Sequence, residues 1–136
     1  MNIKNTHIFR VMPGRDLLSD ISQYCDSHNI TSAVVFGIIG SLEKARINYV
    51  VKLPAQFESI EYLGPMEIVS AQGTVAVKSN ERIYHIHMQI ANKEMSTGGH
   101  LAQATVFSTA EVCLGELEYQ LNRRSDDYTG LNELTE

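Results

Sequence analysis

At 136 residues the chain has the length of one domain, spanning 1–136, and can bury a core without staples. Its net charge of −5 argues against a broad nucleic-acid surface, because such affinity comes mostly from Lys and Arg neutralising phosphates. No run approaches the roughly 18 apolar residues of a membrane span, and the opening MNIKNTHIFRV lacks the apolar core of a signal peptide, so a soluble, cytoplasmic protein is expected.

The first predicted element is a strand from Asn5 to Met12, with His7 facing solvent near its start. Pro13-Gly14 breaks it. Asp16 then suits a helix N-cap, its carboxylate accepting from free backbone N–H groups. Leu17, Leu18, Ile21, Tyr24 and Cys25 follow with helical spacing, predicting an amphipathic helix over Asp16 to Asn29. His28-Asn29 suits its end. Thr31 to Ile39 is apolar and β-branched and reads as a buried strand. Gly40-Ser41 is expected to turn the chain into a further strand over Glu43 to Val51. A loop around Pro54 leads to a short strand, Glu58 to Leu63, ended by Gly64-Pro65.

Met66 to Lys78 is a long strand in which Gly73 suggests a bulge or a close backbone approach. Lys78 to Glu81 is a turn. The apolar run Ala104 to Leu121 predicts a strand, with a possible return across the sheet in its second half, and the tail from Asn122 is polar and expected to be loosely held. Cys25 and Cys113 lie in no metal or redox spacing and read as buried free thiols. The sum is an α+β domain: a curved, mostly antiparallel sheet of seven or eight strands with one main packed helix.

The chemistry concentrates between Ile83 and Leu101, where three of the five histidines fall. Tyr84, Ile86, Met88 and Ile90 alternate with His85, His87 and Gln89, the period of a strand with one apolar and one polar face. His85 and His87 therefore project together. If the chain folds back at Lys93-Glu94, His87 faces His100 and His85 faces Ala102. Opposed residues share a face, with Cβ atoms roughly 4.5–5.5 Å apart. Three imidazoles then converge as they do around a zinc or similar divalent ion with three protein ligands and a water. A one-residue slip would send His100 to the other face, and half-exposed strand histidines often hold nothing. Gly98-Gly99 allows unusual dihedrals or a close approach just before His100.

The blocks PGRDLLSDISQYCDSHNI, GIIGSLEKARINY, GPMEIVSAQGTVA, HIHMQIA, GGHLAQATV and STAEVCL occur in that order. In this they resemble the plant and prokaryote conserved (PPC) domain, in its stand-alone prokaryotic form. The resemblance covers nearly the whole chain and implies an antiparallel sheet with a packed helix and a homotrimer. The fold also resembles that of acetolactate decarboxylase, whose metal is held by three histidines, two of them in a His-x-His pair. By matching motif, His85, His87 and His100 are the ligands this resemblance implies. It supplies no reaction, because prokaryotic members are generally of unestablished activity. Plant members carry AT-hooks; no Arg-Gly-Arg-Pro core exists here, and Arg123-Arg124 lacks its Gly and Pro. Pro65 and Met66 stand where plant relatives carry Arg-Phe in a protein-contact stretch.

Three functions follow. The first is a metal-dependent enzyme or small-molecule binder, with Glu67 or Glu111 as general acid or base and Arg46 as an anion contact. Against these roles stand a solvent-facing Glu111 and a surface or trimer-contact Arg46. The second is a non-catalytic trimeric interaction module. The third, a transcription-related protein, needs a separate DNA-binding partner, given the charge. No glycine loop for a nucleotide cofactor is present: Gly37-x-x-Gly40 lacks the pattern.

Overall fold

The computed structural model describes residues 2–135. Strand β1 (Ile3–Val11) leads to helix α1 (Leu17–Ser27), then to three long strands and one shorter one: β2 (Ala33–Lys52), β3 (Gln56–Lys78), β4 (Glu81–Ala91) and β5 (Ser96–Leu117). A small pair, β6 (Arg123–Ser125) and β7 (Asn132–Leu134), closes the chain. The seven strands form two sheets. The five-stranded one has the order β1-β5-β2-β3-β4, and β4 also pairs with β5. β2, β3, β4 and β5 therefore close into a ring, with β1 outside it along β5.

The helix begins as expected. Asp16 is its N-cap and accepts from the Ser19 N–H at 2.8 Å. Leu17, Ile21 and Cys25 face the core with no exposure, and burial pushes the Cys25 thiol up to about 11. Cys25 and Cys113 are both free, the second half-buried. At the far end Asn29 adopts a left-handed φ of 54°. The core joins this helix face to Ile38, Leu42, Ile47, Met66, Ile86, Ile90, Leu101 and Leu114 from the four ring strands.

Three expected strand ends prove to be irregularities inside continuous strands. Gly40-Ser41 does not turn the chain; β2 runs straight through. Opposite it, β5 accommodates extra residues between Val106 and Ala110. The Ser41 hydroxyl accepts the Ser108 N–H at 3.2 Å, so the displaced backbone stays satisfied. The same bulge removes the expected return inside Ala104 to Leu121, which is part of the single strand β5. Gly64-Pro65 does not end a strand either. Met66 pairs with Leu42 and Leu63 with Lys44, so β3 carries one residue more than β2 there. A bulge is where a strand tolerates a proline, which has no N–H to give the ladder. Such bulges bend strands of 20 to 23 residues enough for the sheet to meet itself.

The polar tail is tied down. β6 pairs with β7, and the Val77 N–H donates to the Leu121 carbonyl at 2.8 Å. Lys78 Nζ donates to Ser125 Oγ and Asn132 Oδ1, and the Ala55 N–H donates to the Thr129 carbonyl. Polar composition hid this order, because it comes from hydrogen bonds rather than apolar burial. His7 is also not solvent-facing. Its side chain is 13% exposed, and Nε2 lies 2.9 Å from Glu116 Oε2. Nδ1 lies 3.0 Å from the Tyr24 hydroxyl, so donation from Nε2 to the carboxylate leaves Nδ1 to accept from Tyr24. Among the described residues, no helix is long and apolar enough to cross a membrane.

Candidate metal centre

The strand pair β4–β5 sets the geometry. Its rungs are Ala91–Ser96, Ile90–Thr97, Gln89–Gly98, Met88–Gly99 and His87–His100. This is the register expected from a turn at Lys93-Glu94. The ladder stops at His87–His100, so the expected His85–Ala102 rung does not form. His85 instead pairs with Thr74 on β3, and His87 with Gln72. Opposed residues share a face. Gln72, Thr74, His85, His87 and His100 thus lie on one side of the sheet, while Ile86 and Met88 fill the core behind them.

Two glycines allow this crowding. A Cβ on Gly73 would stand 2.0 Å from the His85 carbonyl oxygen, and one on Gly98 would stand 2.4 Å from that of Met88. No side chain fits either place, so both positions are close approaches of backbone. The expected bulge in β3 lies earlier, between Ile68 and Ser70.

The three rings converge. Their centroids are 5.0, 5.4 and 5.6 Å apart. One nitrogen from each lies within 4.8 Å of the others, and His85 Nε2 is 3.2 Å from His87 Nε2. Two imidazole nitrogens on a tetrahedral zinc, each roughly 2.0–2.1 Å from it, stand about 3.3 Å apart. The observed spacing fits such an edge. Burial first, then His87 and Arg123, push the His85 imidazole below the ordinary histidine value, against Glu133. Burial first, then His85 and His87, do the same to His100. Both effects favour the neutral imidazole, the form that ligates a metal. Directly across the β2–β5 ladder from His100 sits Asn48, whose side-chain oxygen is buried without a partner. A ligating histidine gives its spare N–H to an acceptor of that kind. The donor set and its surroundings fit a divalent ion.

His85 and His87 stand on the wall of a cleft of about 490 Å³. Gln72 and Thr74 also line it, together with Arg123 and Glu133 from the tail. Sequence reasoning missed these last two, since they lie in a segment read as loose. The Asp126 carboxylate accepting from Thr129, and the left-handed Gly130, were the local signs of an ordered turn.

Glu67 is not brought to the histidines. It pairs with Ala91 and lines a different cleft with Ser41 and Ser108. Five residues separate it from Gln72, about 17 Å along a strand. Glu111 is exposed beside Arg10 on β1, and Arg46 is exposed between Glu61 and Gln103. Neither lines the histidine cleft.

Fold and site together define a class: a closed antiparallel sheet with one helix on its core and three imidazoles at the seam where it closes. The chain belongs to the Plants and Prokaryotes Conserved (PCC) domain family, whose model matches residues 1–118. Among solved structures it is similar to a metal-containing protein from Archaeoglobus fulgidus, with 27% identity and a TM-score of 0.90 over 99% of this chain and 96% of that one. It is similar also to a plant- and prokaryote-conserved protein from Pyrococcus horikoshii, with 28% identity and a TM-score of 0.89 over 99% and 94%. A fold likeness extends to α-acetolactate decarboxylase from Bacillus subtilis, with 15% identity and a TM-score of 0.56 over 89% of this chain and 54% of that one. A comparison with curated proteins finds no match.

Proposed function

We propose that this protein holds a divalent metal ion, zinc by preference, on His85, His87 and His100, and uses it to bind or act on a small molecule in the adjoining cleft. The observation that carries this reading is the convergence of the three rings, with two Nε2 atoms 3.2 Å apart. The Archaeoglobus protein described as metal-containing supports it by likeness. An ion there supplies Lewis acidity, polarising a carbonyl or lowering the pKa of bound water to about 7. The chain's own residues shape the cleft. Glu133 lines this cleft and Glu67 does not, so this reading assigns proton exchange to Glu133.

The assembly we propose is a homotrimer. Ile8 and Ile39 are 74% and 70% exposed. They pair with Cys113 and Glu111 on β5, so they share one face of the sheet. Leu63 and Phe107 are exposed as well. That much bare apolar surface favours association. A non-catalytic trimeric module is the second reading, and it shares this support. Direct DNA binding is disfavoured by the net charge of −5.

Metal analysis of protein prepared without a histidine tag tests the centre. The wild type should carry one equivalent of metal per chain after zinc reconstitution, and His100→Ala should carry almost none while keeping its oligomeric state. Wild-type protein that stays metal-free after reconstitution would leave the interaction module as the better reading.

A further inference from the structure

We infer that the small molecule this cleft takes is an anion, a carboxylate or a phosphate, and that Arg123 from the C-terminal β6–β7 pair is the residue that recognises it. The inference deepens the metal reading and rests on it for one of the two positive charges involved. The other comes from the chain itself.

Arg123 is 7% exposed. Its Nη1 donates to the Asn132 carbonyl at 2.8 Å and its Nη2 to Thr74 Oγ1 at 2.9 Å. Thr74 is the residue directly opposite His85, so the guanidinium is fixed beside the imidazole cluster. A guanidinium carries five N–H donors. Two are used, and Nε is buried with no partner. No carboxylate among the described residues forms an ion pair with Arg123. Glu133 shares the cleft wall with it but makes no such pair.

A buried cation without a counter-ion is costly. Here it stands in a cleft that would also hold a dication, with Glu133 as the single opposing charge on the wall among the described residues. An anionic ligand removes that imbalance. One oxygen would face the metal side of the cleft and another the guanidinium, the planar group best suited to carboxylate and phosphate. Hydrogen bonds to Asn132 and Thr74 hold the guanidinium in advance, so little side-chain entropy is lost on binding. Arg123 and Glu133 both lie beyond residues 1–118 that the family model matches. The selectivity thus belongs to the tail rather than to the matched segment.

The experiment follows the Nε–H signal of Arg123 by ¹H–¹⁵N NMR. The signal is identified by its absence in Arg123→Lys and, should that variant misfold, by its perturbation in Thr74→Val. Acetate and inorganic phosphate are titrated into zinc-loaded and zinc-free protein, with acetamide and sodium chloride at matched ionic strength as controls. Zinc content is measured on the same samples. Acetate or phosphate should shift the Arg123 signal saturably, the controls should not, and Arg123→Lys, followed by the backbone amide signal of Thr74, should bind the same anion at least tenfold more weakly. A zinc-loaded protein whose Arg123 signal ignores both anions overturns the inference and leaves the metal centre standing. A protein that takes no zinc yet shows the saturable shift keeps the anion cleft and ends the metal reading.

Discussion

At the scale of single residues, charge placement decides what each group does. Glu116 shows the pattern outside the cleft. The hydrogen bond from His7, helped by Asn5 and Lys4, holds its carboxyl below the usual value against the opposing effect of burial. A carboxylate whose folded pKa is depressed adds stability above its unfolded value of about 4.3, and that share is lost as pH falls through the folded value. Wild type should therefore exceed Glu116→Gln in urea midpoint at pH 7, and the gap should close as pH drops below about 4. A gap unchanged down to pH 2.5 would place the effect in packing rather than charge. His7 itself was misread because the sequence shows only its own strand. Its partners Tyr24 and Glu116 come from the helix and from the far end of β5.

At the scale of elements, legibility followed periodicity. The histidine hairpin could be read as far as the His87–His100 rung, because alternation fixes faces and a short polar turn fixes register. The helix could be read from its cap to its left-handed Asn29. What misled was punctuation. Gly40-Ser41 and Gly64-Pro65 look like ends, but β2 runs through the first opposite a bulge in β5, and the second is a bulge inside β3. Local composition is the same for a turn and a bulge; the difference lies in which partner strand runs alongside. Gly73 tests the site's dependence on such detail. Gly73→Ala must move β3 and β4 apart by enough to clear the His85 carbonyl. The variant should lose stability by about 1–3 kcal/mol, as overpacking does, and should also bind zinc more weakly. Chemical denaturation and competition with a zinc dye measure the two, and an unperturbed zinc affinity would show that the ring geometry does not depend on this contact.

At the scale of the whole molecule, the apolar residues left outside the core are what the proposed assembly would cover. Ile8 and Ile39 are exposed on β1 and β2, the two strands that flank β5. An aspartate at position 39 would place an uncompensated charge in any interface built there. Ile39→Asp should therefore run as a smaller species than wild type in size exclusion with light scattering, while its circular dichroism remains that of a folded sheet. Wild-type protein that is monomeric from the outset would remove the trimer.

The seam between β4 and β5 is five rungs long, and imidazoles stand at its last one, His87 against His100. These two strands are what turns an open sheet into a ring. An ion gripped there would act as a rivet: unzipping the barrel would first require letting the cation go. Because ligand held only by the native form adds stability with the logarithm of its concentration, the abundance of free metal in the surroundings would set how long each molecule stays closed.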